Sequence, residues 1–189
     1  MLNDVSTPLS LLATRRSGKP RDLTAPGPSR AELAEILKIA ARVPDHGKLA
    51  PWRFLVIEDR DALSELLVRE WRNERGSDLD PAALDEFARQ APVLVVVLFA
   101  PIVDSKIPHW EQQLSCGAAC MTLLDAAHAM GFAGGWLTGW AAQSDAVRDA
   151  FGSAPERIAG FFFLGTPAKP LEERVRPEMD TIVRNWPKA

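Results

Sequence analysis

The chain has 189 residues, of which 47% are hydrophobic and 25% charged, and these proportions are typical of a folded protein rather than a disordered one. Its 22 basic and 25 acidic side chains give a net charge of −3, so no basic excess favours sequence-independent binding of nucleic acid. Two cysteines cannot build a disulfide framework, and no apolar run reaches the roughly 18 residues that a membrane span needs. We therefore expect a single cytoplasmic domain over residues 1–189.

Capping residues and apolar periodicity predict six helices. In chain order, they begin at Ser6 or Thr7, at Ser29, at Asp61 or nearby, at Asp80, at about Pro108 and near Ser144, the last being a short helix that reaches Phe151. The second helix has the clearest start, because Ser29 and Glu32 form a capping box. The fifth is the longest and most apolar, running from Pro108 to Met130, and Gly131 is expected to end it in a left-handed conformation.

Apolar runs between these helices predict the strands. The β-branched run 92–99 suits a central strand that is covered on both faces, and residues 54–57 and 158–164 suit two further strands. Residues 134–139 are expected to form a strand or a close-packed loop. Neither a dinucleotide-binding fingerprint nor a P-loop is present in the sequence. The order of elements therefore predicts an α+β sandwich around a mixed sheet.

The segment Arg15–Lys19 places three cations, a hydroxyl and a glycine at the end of the first helix. Guanidinium groups match a phosphate bidentately, Ser17 can add a hydrogen bond, and Gly18 lets the backbone approach a ligand. Basic residues are also favoured at a helix C-terminus by the helix dipole alone. The segment by itself therefore leaves both phosphate binding and simple helix capping open.

A second turn combines Arg42 with Asp45 and His46. Asp45 could orient the imidazole of His46 as a general base, but adjacent residues seldom adopt that geometry, and a solvated turn is the simpler interpretation.

The polar residues inside the long helix are expected to be structural. Asp125 and His128 are three residues apart, so we expect a hydrogen bond between them on one helix face. Cys116 and Cys120 are four residues apart with no further ligand nearby, so we expect them to pack in the core rather than to bind a metal.

Taken together, the motifs of this chain resemble those of the nitroreductase family of flavoproteins. The matching segments cover nearly the whole chain and are Arg15–Lys19, Ala41–His46, Pro51–Phe54, Gln90–Pro92, Trp110–Gln112, Gly131–Gly139 and Phe163–Pro167. The Pro-Asp-His turn and the short chain most resemble the small branch of that family. The resemblance implies an α+β fold with a mainly antiparallel central sheet flanked by helices. It also implies an obligate homodimer with one FMN in each of two sites at the subunit interface, and NAD(P)H as electron donor.

Carried over by position, the resemblance assigns roles to individual residues. It places Arg15 and Ser17 at the phosphate and ribityl end of FMN, with Arg16 supporting them. Lys19 matches a lysine beside N1 and O2 of the isoalloxazine ring. Arg42 and His46 of the other subunit would complete the pocket.

The remaining matches concern the flavin face and the C-terminus. The stretch that lies against the flavin in the family matches Trp136, Leu137 and Thr138 here, although close relatives often carry a polar or basic residue in place of Leu137. The family also binds the phosphate with a basic residue near the C-terminus, for which this chain offers Arg174, Arg176 and Arg184.

The implied activity is the reduction of nitroaromatics, quinones or similar electron-poor acceptors. Because NAD(P)H and the acceptor would share one open flavin face, ping-pong turnover is expected. One alternative is a non-redox flavin-binding or storage protein, with Trp136 and Trp140 blocking the nicotinamide site. Flavin fragmentation and reductive dehalogenation, which also occur in the family, have no residue in their favour here.

Overall fold

The computed structural model describes residues 1–76 and 80–186, and within these ranges it contains eight α-helices and five β-strands. The helices are α1 (Pro8–Thr14), α2 (Arg30–Ala40), α3 (Arg60–Arg75), α4 (Pro81–Arg89), α5 (His109–Ala129), α6 (Trp140–Gln143), α7 (Asp145–Asp149) and α8 (Met179–Ile182). The strands are β1 (Leu23–Thr24), β2 (Trp52–Val56), β3 (Val93–Phe99), β4 (Ala133–Leu137) and β5 (Arg157–Pro167). No helix of the described part is both long and apolar enough to cross a membrane.

Side-chain caps define the starts of the main helices. The predicted caps Thr7, Ser29 and Asp80 each accept a hydrogen bond from a backbone N–H of the first turn. The helix predicted to start at Asp61 or nearby is α3, with Asp59 as its cap. The short helix predicted near Ser144 to Phe151 is α7, capped by Ser144, whereas the four-residue helix α6 before it was not predicted.

The sheet is built around β5, which pairs with β3, β4 and β1, while β2 lies beyond β3 at one edge. Every strand pair in the described ranges is antiparallel. The predicted α+β fold with a mainly antiparallel central sheet flanked by helices is therefore confirmed. β5 is longer than predicted, because Thr166 and Pro167 pair with β1, a two-residue strand that is too short to show any periodicity.

Apolar side chains pack on both faces of the sheet. Val95 and Val97 of β3 lie in one cluster with residues of α2 and α5, whereas Leu94, Val96 and Leu98 lie in another with residues of α3 and α4. Alternate residues of a strand point to opposite faces, so the unbroken apolar run of β3 belongs to a strand covered on both sides. This arrangement confirms the prediction that residues 92–99 form a central strand covered on both faces. Because both faces of the sheet are covered, the strand ends and the turns that follow them are the places left for a site.

Candidate functional site

The loop Arg15–Lys19, called the cation loop below, lies directly on β4. The backbone N–H of Gly18 donates to the carbonyl of Gly134 at 2.9 Å. A Cβ atom on Gly135 would stand only 2.6 Å from the carbonyl oxygen of Gly18, so this approach requires glycine at position 135. The contact places the cation loop beside the strand whose next residues were predicted to face the cofactor.

Arg15 lies between the cation loop and α5. Its Nε is 3.7 Å from Oδ1 of Asp125, and its Nη2 is 3.5 Å from Oγ of Ser17. Burial raises the pKa of Asp125, an effect that the nearby Arg15 charge opposes. Arg15 Nε is buried and makes no hydrogen bond with any described residue. A guanidinium in this position has donors to offer an anion bound next to Ser17.

The C-terminal segment holds the other two cations of the loop. Arg16 Nε donates to the backbone carbonyl of Glu172 at 2.6 Å, and Lys19 Nζ lies 2.8 Å from Oε2 of the same residue. The side chain of Asn3 accepts from the N–H of Arg16 and donates to its carbonyl, which fixes the backbone of the loop from the opposite direction. The predicted residues Arg15, Arg16, Ser17 and Lys19 are therefore brought together in one braced loop.

Arg176 also reaches the cation loop. Its Nη2 donates to the carbonyl oxygen of Arg15 at 3.4 Å and to Oε1 of Glu173 at 3.0 Å. The sequence offered three C-terminal arginines without ranking them, and this contact ranks Arg176 first for a role beside Arg15.

The second predicted turn packs against the start of α5. His46 Nδ1 is 2.7 Å from Oε2 of Glu111, and Ser115 Oγ donates to the carbonyl of Pro44 at 2.5 Å. Asp45 accepts instead from the backbone N–H of Ala50 at 2.8 Å. Glu111 therefore orients His46, whereas the carboxylate of Asp45 is used to hold the turn. This geometry agrees with the structural interpretation of Asp45 and gives no support to an Asp45–His46 general base.

The two cationic regions lie far apart within one chain. Asp125 contacts the first and Glu111 contacts the second, and both belong to α5. At 1.5 Å rise per residue, these two positions are about 21 Å apart along the helix. The structure therefore brings the cation loop to β4 but leaves Arg42 and His46, both exposed, at the opposite end of α5.

The segment Trp136–Thr138 ends β4 beside the cation loop. The Trp136 indole is tilted over Phe162, with ring centroids 5.1 Å apart, and its Nε1 donates to the carbonyl of Ala159 at 3.0 Å. Leu137 is half-buried and Thr138 is exposed. Trp140 Nε1 donates to Glu74 at 2.7 Å. Both indoles thus have partners within the chain, and the end of β4 remains open to solvent.

The polar residues inside α5 differ from expectation. Asp125 and His128 do not hydrogen-bond to each other, since neither imidazole nitrogen of His128 makes a hydrogen bond in the part of the chain that is described. Burial, assisted by the Arg15 charge, lowers the pKa of His128 to about 4. Cys116 and Cys120 are buried in the core, as predicted.

Two contacts of the site were not predicted from the sequence. Asp125 was considered only as a partner of His128, and its contact with Arg15 was not foreseen. Glu172 gave no signal, because it lies 153 positions away from Lys19 in the chain.

Comparison with known proteins adds the family context. Residues 12–166 match the model of the nitroreductase family. The chain is 39% identical over 165 residues to a protein of Escherichia coli named "Putative NAD(P)H nitroreductase YdjA", covering 84% of this chain and 87% of that protein.

Solved structures share the fold. A nitroreductase-like family protein from Bacillus cereus superimposes with a TM-score of 0.78 at 20% identity, covering 96% of this chain and 97% of that one. A structure from Desulfovibrio desulfuricans, titled as a putative nitroreductase in complex with FMN, gives a TM-score of 0.73 at 23% identity, covering 95% and 98% of the two chains.

Proposed function

Because the chain belongs to the nitroreductase family, we propose that it is an FMN-dependent oxidoreductase that takes electrons from NAD(P)H. The observation that carries the proposal is the cation loop, in which Arg15 and Ser17 stand side by side against β4 with Arg176 at the loop's edge. The name of the Escherichia coli relative and the FMN in the Desulfovibrio desulfuricans structure support the same conclusion.

The residues of the loop fit the phosphate of FMN. Arg15 Nε is buried on the side of Asp125, at 3.7 Å from its Oδ1, whereas Nη2 lies 3.5 Å from the Ser17 hydroxyl, so the Nη groups are the donors that would reach a phosphate. The described hydrogen bonds of the Arg16 side chain go to backbone carbonyls, so its charge is not cancelled by a directly bound carboxylate. Charge-assisted hydrogen bonds of this kind are the strong ones in anion recognition. We assign Arg15, Ser17 and Arg176 to the phosphate, with Arg16 supporting the loop.

FMN, when bound, supplies the hydride chemistry, and the protein supplies binding, orientation and electrostatics. The family resemblance would put Lys19 beside the pyrimidine edge of the flavin, and in this chain Lys19 follows Gly18 in the cation loop next to β4. A cation there favours the reduced flavin, which carries more negative charge. The open end of β4 leaves room for NAD(P)H and then for a nitroaromatic, quinone or similar acceptor, in ping-pong order.

The active unit in this proposal is a homodimer with FMN at the subunit interface. Glu111, which contacts His46, lies about 21 Å along α5 from Asp125, which contacts Arg15, so the two regions do not meet within one chain. Exposed apolar side chains on two helices offer an interface and are Leu9, Leu12, Trp110 and Leu114. A second copy would therefore supply Arg42 and His46 to the cofactor of the first. Since NAD(P)H is the donor, we place the enzyme in the cytoplasm.

The alternative of a non-redox storage protein depends on Trp136 and Trp140 covering the flavin. Both indoles are held within the chain, since Trp136 packs on Phe162 and Trp140 is hydrogen-bonded to Glu74. Reduction by NADH or NADPH distinguishes the storage protein from the oxidoreductase.

Absorbance spectroscopy tests the proposal. The purified protein is expected to bind FMN and turn yellow, to bleach under anaerobic NADH or NADPH, and to regain its colour when a nitroaromatic or a quinone is added. Protein that takes up no FMN would contradict the proposal. Protein that binds FMN tightly but is bleached by neither nucleotide would establish the storage alternative instead. Parallel double-reciprocal plots of initial rates would support ping-pong turnover, and intersecting plots would exclude it.

A further inference from the structure

We propose that Glu172 lowers the reduction potential of the bound flavin by neutralising the charge of Lys19. This inference rests on the proposed function, because it concerns a flavin beside Lys19. It adds a tuning residue outside the motifs that pointed to FMN. Glu172 would balance the charge of Lys19 without touching the reacting atoms, so it is a charge-balancing residue and not a catalytic one.

The contact between Lys19 and Glu172 is short, and Arg16 holds the backbone of Glu172 in place. Lys19 Nζ lies 2.8 Å from Oε2 of Glu172, while the backbone carbonyl of Glu172 accepts from Arg16 Nε at 2.6 Å. Because Arg16 anchors the backbone of residue 172, the carboxylate is kept beside Lys19. The hydrogen bond from Lys19 lowers the pKa of Glu172, so the carboxylate stays ionised near neutral pH.

The charges around this contact nearly cancel. A small cavity of about 50 Å³ lies between the cation loop and residues 167–172. A second ion pair lines the same cavity, with Lys169 Nζ 2.8 Å from Oδ1 of Asp22. Lys19 and Lys169 are thus each matched by a carboxylate. Such balance is not needed to hold a surface loop, since exposed ion pairs contribute little to stability.

The sign of the effect follows from the charge that reduction adds to the flavin. A cation near the pyrimidine edge stabilises the reduced form and raises the potential, and a carboxylate beside that cation weakens the effect. Both side chains are more than half exposed in the single chain, at 52% for Lys19 and 72% for Glu172, so water screens part of it. We expect Glu172 to change the ratio of reduced to oxidised flavin by about tenfold, which is about 30 mV for a two-electron couple.

The experiment measures midpoint potentials of FMN-loaded protein by anaerobic titration against dyes of known potential. Glu172→Gln removes the charge and keeps the shape, and the potential should rise by about 30 mV. Lys19→Met should lower it. In the Lys19→Met background, Glu172→Gln should raise the potential by a similar amount, because the Coulomb contributions of the two charges add. Glu86→Gln is the matched control, because this exposed residue of α4 undergoes the same charge change away from the loop.

The outcomes separate the inference from the proposed function. A wild-type protein that binds no FMN would refute the proposed function. With FMN bound, an unchanged potential in Glu172→Gln, or in Lys19→Met, would refute the inference and leave the function standing. A rise that disappears in the Lys19→Met background would also refute it, because Glu172 would then act by positioning Lys19 and not by balancing its charge. If the potential rose as much in Glu86→Gln as in Glu172→Gln, the effect would come from the net charge of the protein, and the assignment to Glu172 would be wrong.

Discussion

The cation loop and the turn Arg42–Lys48 both follow a helix and both carry basic side chains, yet they are built differently. The first is braced by β4, by Asn3, by Asp125 of α5 and by the C-terminal segment. The second is held mainly through Pro44 and His46 to the start of α5, and its cations are exposed. The first region is therefore held by more contacts within the described chain than the second. This difference is consistent with the proposal that a partner subunit completes the second region.

The largest effect should come from breaking the first region at Arg15. Arg15→Ala removes a charge-assisted contact to phosphate, so the Kd for FMN should rise roughly ten- to hundredfold. Fluorescence quenching of FMN on binding measures it. Riboflavin, which lacks the phosphate, should lose much less affinity.

Arg69→Ala is the matched control for this prediction, because Arg69 is exposed on α3 and pairs with its neighbour Glu70. Its Kd for FMN should equal that of the wild type. Equal losses in the two variants, or equal losses for FMN and riboflavin, would contradict the phosphate assignment.

The next effect concerns the backbone contact that seats the loop. Gly135→Ala would place a Cβ 2.6 Å from the carbonyl oxygen of Gly18, and a backbone atom cannot rotate away. We expect the free energy of unfolding to fall by about 1–3 kcal/mol in urea titrations, with weaker FMN binding. Gly18→Ala should cost less, since its Cβ would meet Cδ2 of Leu23 at 2.7 Å, the movable end of a side chain. The reverse order would show that the loop is not seated as described.

The same contrast explains how much of the fold could be predicted from the sequence. Helix starts with a side-chain cap and the buried run of β3 depend on neighbouring residues, and these predictions are confirmed. The two-residue strand β1 depends on pairing with Thr166 and Pro167, more than 140 positions away, and no local pattern encodes that pairing. Helix α6 has only four residues, too few to show a helical period, and it was not predicted.

The candidate site divides in a similar way. Arg15, Ser17 and Lys19 could be identified from the sequence because they lie within five residues of one another. Their partners Asp125 and Glu172 come from distant segments, so charge balance within the site became visible only in the structure. One part of the site stays a prediction, because it depends on how two chains meet. This part is the placement around a shared cofactor of Arg42, His46, Trp136, Leu137 and Thr138.

A smaller effect is expected on the pH dependence of stability, and it comes from His128, a buried residue of the first region. Its pKa is lowered to about 4, whereas the unfolded chain should titrate near 6.5. Below pH 6.5 the unfolded chain therefore binds a proton that the folded chain does not, and stability falls as the pH falls. The free energy of unfolding should drop by about 1 kcal/mol between pH 6.5 and 5.5.

Urea titrations across this pH range check the His128 prediction. His128→Gln should flatten the slope, whereas His109→Gln, which changes an exposed residue, should keep it. An unchanged slope in His128→Gln would assign the pH dependence to other groups.

The last prediction asks directly whether the two regions meet across subunits. Arg15→Ala alone and the double variant Arg42→Ala/His46→Ala should each be weakly active. Co-expressed with different affinity tags, they form mixed dimers in which one site carries all the substitutions and the other carries none. If subunits pair at random, half of the dimers are mixed, so about a quarter of wild-type activity should return. The matched control pairs Arg15→Ala with Arg16→Ala. Both changes lie in one loop, so every site keeps one defect and no activity should be regained. Recovery in this control, or none in the first mixture, would mean that the cation loop and the His46 turn do not serve one shared site.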